Sequence, residues 1–258
     1  MRRAAVPLAL LAGAGLLVAA AVLFRLDAVE LVAPVEGRAG DAAISQIEAV
    51  ADPSAGQALT RFAKLARERD YEQMWRGVTT ETKQRLTFPV FRTRLGPDLS
   101  DEIGSLSPGS YRVVTSLRTA DGVGIASLAG TRVDATTGLA SFETYGYGLV
   151  KEDGRWRLEL LTEVGLELLS PDQSLPTARA AVAVSAVSRT PVIDAGVWID
   201  GEHVESSVEG SEPTNLRIFS EEAKVYARGD HTIVAAVHIA SVGGRTPVVG
   251  AWTFVGSG

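Results

Sequence analysis

The sequence predicts an α+β domain followed by an all-β sandwich, both set behind one N-terminal apolar helix. Three observations carry that prediction. The chain opens with a charge-free apolar run, its hydrophobic period changes from helical to alternating near residue 110, and short alternating runs with frequent turns fill the region beyond residue 178. With 258 residues, 46% apolar and 22% charged, the chain is long enough for one large or two ordinary domains, and chain-wide disorder is excluded. The absence of cysteine removes disulfides, cysteine-ligated zinc, iron–sulfur clusters, thiol nucleophiles and a lipidated cysteine. A net charge of −6 argues against nucleic acid, since neutralising phosphate takes clustered Lys and Arg in excess.

The apolar run covers residues 4–24, with Arg2 and Arg3 before it and Arg25 after it. At 1.5 Å per residue this is ~31 Å of helix, the thickness of a bilayer core. It is also longer than the apolar region of a cleaved signal peptide, so residues 1–25 are expected to be a retained transmembrane anchor. The arginines at the start, and Asp27, Glu30, Glu36 and Asp41 beyond the run, place the N-terminus in the cytoplasm and the rest outside it. Arginine outnumbers lysine 21 to 4, a bias associated with high-GC bacteria.

Residues 26–52 show no sustained period and read as a stalk. Leu59, Phe62 and Ala66 then share a helical face, and Asp70 is placed to cap a second short helix bearing Tyr71, Met74 and Trp75. Thr87 and Pro89 start a third, with Phe88, Phe91 and Leu95 as its apolar stripe. Residues 96–110 are rich in Gly, Pro and Ser and read as a loop. Strands follow: Tyr111, Val113 and Leu117 on one face, residues 123–133 after the Asp121-Gly122 turn, residues 139–150, and a last strand after Asp153-Gly154 in which Trp156, Leu158 and Leu160 alternate with charge.

Asp70-Tyr71-x-x-Met74-Trp75, Phe88-x-x-Phe91 and Asp153-Gly154-Arg155-Trp156-Arg157-Leu158, in this order, make residues 53–167 resemble the nuclear transport factor two superfamily. The resemblance implies the cone-shaped α+β fold of ketosteroid isomerases and SnoaL-like cyclases, with helices packed on a curved antiparallel sheet. Residues 168–178 read as a linker. Over residues 179–258, Val197-Trp198-Ile199-Asp200-Gly201-Glu202-His203-Val204, then Gly229-Asp230-His231-Thr232-Ile233-Val234, then Trp252-Thr253-Phe254-Val255 are similar to bacterial immunoglobulin-like repeats. That resemblance implies a β-sandwich. Ala240-Ser241-Val242-Gly243-Gly244 replaces the acidic turn of such repeats, which puts a calcium site there in doubt.

Candidate chemistry is sparse. Glu143, Tyr145 and Tyr147 share strand parity, and a carboxylate desolvated beside tyrosines is a workable proton-transfer set; Asp121 and Asp134 are further acids. Parity does not say whether the Tyr/Glu face or the face with Phe142, Gly146 and Gly148 lines the interior. The two glycines suggest strand bending or the close approach of a helix. His231 and His238 lie seven residues apart on one strand, point to opposite faces and do not chelate jointly. Arg228-Gly229-Asp230 spells an integrin-binding tripeptide, but its last two residues are needed for a turn.

The reading that follows is a non-catalytic, single-span envelope protein without metal or cofactor. Its exported domains would meet an envelope protein or the cell wall as an accessory or assembly component, and a homodimer is compatible with an exposed sheet face. The alternative is binding of a small apolar ligand, or isomerase- or dehydratase-like chemistry, in a cone pocket lined by Glu143, Tyr145 and Tyr147.

Overall fold

In the computed structural model, which describes residues 44–160, 164–173, 175–212, 215–220, 222–241 and 244–258, strands β1 (Ser45–Gln46) and β2 (Ala49–Ala51) precede the first helix. Helix α1 (Pro53–Glu68) starts where the Asp52 carboxylate accepts the Ser54 N–H, and it ends at Arg69 in the left-handed region with φ 54°. Leu59, Phe62 and Ala66 form its buried face, as their spacing predicts. Asp70 caps α2 (Tyr71–Arg76) through the Gln73 N–H, and Thr79 caps α3 (Thr80–Arg85) through the Thr82 N–H. After Thr87, α4 (Phe88–Val90), a π-helical turn (Phe91–Leu95) and α5 (Gly96–Gly104) follow without a break. The expected loop over 96–110 is thus helical in its first part. Pro97 stands in the first turn of α5, where a helix tolerates a missing N–H.

The remaining chain is almost all strand: β3 (Arg112–Thr119), β4 (Val123–Val133), β5 (Ala140–Glu152), β6 (Arg155–Glu159), β7 (Val164–Ser170), β8 (Arg179–Ala180), β9 (Ala183–Ser188), β10 (Val192–Ile199), β11 (Glu202–Val204), β12 (Ser206–Glu212), β13 (Asn215–Ser220), β14 (Lys224–Val225), β15 (Gly229–Ser241) and β16 (Gly244–Gly256). Three sheets result. A helix-side sheet runs β2-β3-β4-β5-β6, a central sheet β1-β10-β15-β16 with β11 also on β10, and an outer sheet β12-β13-β9-β7; β8 and β14 form a separate ribbon. Ser45–Gln46, from the expected stalk, pair in parallel with β10, and β7 pairs with β9 of the outer sheet.

The sheets stack in layers. Phe62, Met74, Phe91 and Ile103 from the helices pack against Leu128, Tyr147, Leu149 and Leu158 on one face of the helix-side sheet. Its opposite face meets the central sheet through Leu117 and Ile125 against Ile47, Trp198, Val234 and Ala236. The far face of the central sheet then packs on the outer sheet through Val197, Ile233, Ala235 and Phe254 against Val184, Leu216 and Ile218. The described residues form one compact unit.

This corrects the predicted fold class. Strands hold 54% of the described residues and helices 22%, so the body is β-rich, and an α+β cone plus sandwich behind a membrane helix does not describe it. The physical reason is the burial of the central sheet on both faces, which merges what alternation and turn spacing separate into two modules. The expected transmembrane anchor is corrected with it: among the described residues no helix is long and apolar enough to cross a membrane, and the run at 4–24 lies outside them.

Two details set the stacking. A bulge in β3 between Val113 and Thr115 turns Val113 toward the helices and Leu117 toward the central sheet, so the single face expected for them is split. Gly146 and Gly148 on β5 lie against β16. A Cβ on Gly148 would sit 2.6 Å from the Pro247 carbonyl oxygen, and one on Gly146 2.8 Å from the Val249 side chain. These glycines admit a strand of the next sheet, where the sequence suggested a bend or a helix. Gly148→Val is therefore expected to cost ~1–3 kcal/mol by forcing the layers apart. Gly165→Ala, whose nearest contact is 4.0 Å away, should change little; urea unfolding of both variants checks this.

Candidate functional site

The residues singled out from sequence come together only in part. Glu143, Tyr145 and Tyr147 all face the helices. Tyr145 donates to Glu143 Oε2 at 2.6 Å, and Ser141 Oγ donates to Glu143 Oε1 at 3.2 Å, with Arg132 3.5 Å away. Tyr147 donates instead to Glu102 Oε1 on α5 at 3.3 Å. Burial raises the Glu102 carboxyl to about 7, against the opposing pull of the Tyr147 hydrogen bond. Burial likewise raises both tyrosines, with the neighbouring carboxylates adding to it. Glu102 is not among the sequence candidates because Gly, Pro and Ser over residues 96–110 predict a loop, whereas it stands on α5. Phe62, Met74 and Phe91 fill the space between these groups and the helices, with Trp75 and Phe88 packed on them. Asp134 caps the β4–β5 turn by accepting the Thr136 and Thr137 N–H groups.

A different cluster occupies the seam between the helix-side and central sheets. Ser45, Asp194 and His238 stand side by side across β1, β10 and β15, each in register with the next. Asp194 is 5% and His238 1% exposed. His238 Nδ1 lies 3.5 Å from Asp194 Oδ2, and neither ring nitrogen makes a well-aligned hydrogen bond. Arg245 Nη1 approaches the same Asp194 oxygen to 2.6 Å, out of line for a hydrogen bond, and reaches Asp121 Oδ2 at 3.3 Å. Asp121 also accepts from the Thr119 hydroxyl across its turn. Arg245 thus joins the central sheet to the turn between β3 and β4.

Burial pushes His238 below the ordinary histidine value, and the Asp121 and Asp194 charges only partly oppose it. Burial also acts to raise the Asp121 carboxyl, but the Thr119 hydrogen bond and the facing His238 and Arg245 hold it low. Ser45, Gln46, Ile47, Glu48, Thr119 and Ala120 complete the lining of an open groove of about 480 Å³ beside this cluster. The sequence signal for it is an acid and a histidine inside otherwise continuous apolar strands, Val192-Ile193-Asp194-Ala195 and Ala236-Val237-His238-Ile239.

His231 lies on the opposite face, as its spacing from His238 predicts. It stacks on Phe254 with ring centroids 5.2 Å apart. Its Nδ1 meets Asp200 Oδ2 at 2.7 Å and its Nε2 the Ala227 carbonyl at 2.9 Å. Two acceptors call for two ring protons, and although burial opposes it, these bonds raise the His231 pKa. Arg228-Gly229-Asp230 is no free loop, since Gly229 and Asp230 pair with Gly256 and Val255. Among the described residues no three His, Cys, Asp or Glu side chains converge as a metal set.

The two histidines predict opposite pH dependence. His231, raised, stabilises the fold fully below ~6.5, and that contribution fades as pH rises through its folded value; His238, lowered, costs stability as pH falls below ~6.5. Urea midpoints should show His231→Gln losing most on the acid side and His238→Leu abolishing the acid-side loss. For Glu102, a folded value near 7 above its ordinary 4.5 means that stability falls as pH climbs between them. Glu102→Gln should flatten that slope. Comparison with protein-family models, with curated proteins and with solved structures finds no match to this chain, so both resemblances rest on their quoted residues alone.

Proposed function

We propose that this chain is a non-catalytic binding module whose folded body engages an envelope protein as an accessory or assembly component. The observation that carries the reading is the hairpin of β4 and β5. Its strands remain paired out to Val133 and Ala140, and the tip leaves Val133 51% and Leu139 71% exposed. Apolar side chains at the tip of a paired hairpin are suited to insertion into a partner, since burying them there gains hydrophobic free energy. The proton-transfer candidates support the same reading because they are engaged in packing: Glu143 with Tyr145, and Glu102 with Tyr147.

The filled space beneath the helices speaks against the alternative of an apolar ligand held there. A photo-reactive residue at position 139 should form one discrete protein adduct in cells. One at position 167, on a different sheet, should not, and Val133→Asp should abolish the adduct. An adduct at twice the chain's own mass would identify the partner as a second copy; no adduct from position 139 would reject the proposal.

A further inference from the structure

The charged end of the seam carries an inference independent of the hairpin tip, and it concerns how the two sheets are held together there. Two nitrogen groups address one oxygen. Arg245 Nη1 lies 2.6 Å from Asp194 Oδ2, and His238 Nδ1 lies 3.5 Å from the same atom. Arg245 continues to Asp121 Oδ2 at 3.3 Å, so one guanidinium ties the central sheet to the β3–β4 turn of the helix-side sheet. The charged groups around the imidazole are Asp194 on β10, Arg245 on β16 and Asp121 in that turn, and the exposed Glu48 lines the groove beside them. His238 is 1% exposed, and neither of its ring nitrogens makes a well-aligned hydrogen bond.

We propose that Asp194 is a two-position latch, holding Arg245 while His238 is neutral and turning to the imidazolium once His238 takes up a proton. In the second position Arg245 lets go of both carboxylates, and this end of the seam opens. A buried imidazolium needs a counter-charge in hydrogen-bonding contact, and Asp194 is the carboxylate beside its Nδ1. Two cations on one oxygen repel each other, and the one with access to water yields. That one is Arg245, whose side chain is 46% exposed against 1% for His238. Its other partner, Asp121, is 32% exposed, so water takes over both groups when they part. Burial, with the Arg245 charge added to it, keeps the imidazole neutral until the solution turns acid. Deeper in the seam Ile125, Trp198, Val234 and Ala236 pack without charge and hold the layers together, so the opening stays local.

The test uses the full chain labelled with ¹⁵N and titrated from about pH 7.5 to about pH 4.5, with histidine ring nitrogens and backbone amides followed together. Because the chain has three histidines, His203 and His231 serve as internal references. The Asp121 carboxyl is held below its ordinary value and stays ionised over this range, so it does not supply the step itself. The proposal expects the Asp121 and Gly122 amides to shift with the midpoint of His238, while those of Ile125 and Val234 stay in place. In His238→Gln the shift at the turn should be lost. In Arg245→Gln there is no tie left to release, so it should be lost there too, and the proton affinity of His238 should rise about threefold or more because Asp194 has no competing cation. Arg245 is half-exposed at the rim, so its variant keeps the test decisive if His238→Gln fails to fold. A His238 that stays neutral throughout, turn amides without a step at its midpoint, a step left unreduced in either variant, or one shared by Ile125 and Val234 would overturn it.

Discussion

The central sheet has apolar side chains on both faces, and the architecture follows from that constraint. A sheet without a wet face must be covered twice, and here the outer sheet covers one side and the helix-side sheet the other. Trp198 anchors the second contact. It is 1% exposed, folds its ring over Gly196 of its own strand and meets Ile47 from the segment before α1. Such a side chain contributes several kcal/mol when it is wholly removed from water. Gly146 and Gly148 make the contact geometrically feasible by letting β16 approach to within a backbone's width, and the hydroxyls of Thr144 and Thr253 meet across the same junction at 2.6 Å.

Burying a seam leaves its polar groups to be accounted for. Asp194, His238, Thr115 and Ser127 all lie in it with little or no access to water, and each has a polar atom without a well-aligned partner. Groups of this kind cost ~1–3 kcal/mol each when left alone, which is why Arg245 matters: it brings compensating charge to Asp194 and to Asp121 on the opposite sheet. The same feature that makes the seam expensive gives it chemical character. Apolar packing provides most of the adhesion between layers, while the charged edge supplies a histidine whose burial holds it below its ordinary pKa.

Much of the local structure is legible in the sequence. The cap at Asp70, the buried face of α1, the Asp121-Gly122 and Asp153-Gly154 turns and the opposite facing of His231 and His238 each depend on residues close in the chain. What escaped depends on distant partners. Leu117 and Val113 share parity, but a bulge parts them; Gly146 and Gly148 announce a close approach without naming β16 as what approaches. The strongest missed signal is the run Ile233-Val234-Ala235-Ala236-Val237, which lacks the alternation of a half-wet strand and so implies cover on both faces. Asp194 and His238, lone polar residues in such runs, marked the seam cluster for the same reason. Glu102 stayed hidden because Gly96-Pro97 resembles a breaker, although it opens a helix.

If the double burial of the central sheet governs the fold, the halves of the chain that suggest two domains must unfold together. The four tryptophans allow a direct test, since Trp75 and Trp156 belong to the helix-side layers and Trp198 and Trp252 to the central sheet. Urea unfolding would be followed by fluorescence in two variants, Trp198→Phe/Trp252→Phe and Trp75→Phe/Trp156→Phe, with far-ultraviolet circular dichroism recorded on each sample. The account predicts that fluorescence and dichroism share one midpoint within each variant. Separate midpoints, with the helix-side tryptophans reporting one transition and the central-sheet tryptophans another, would contradict it.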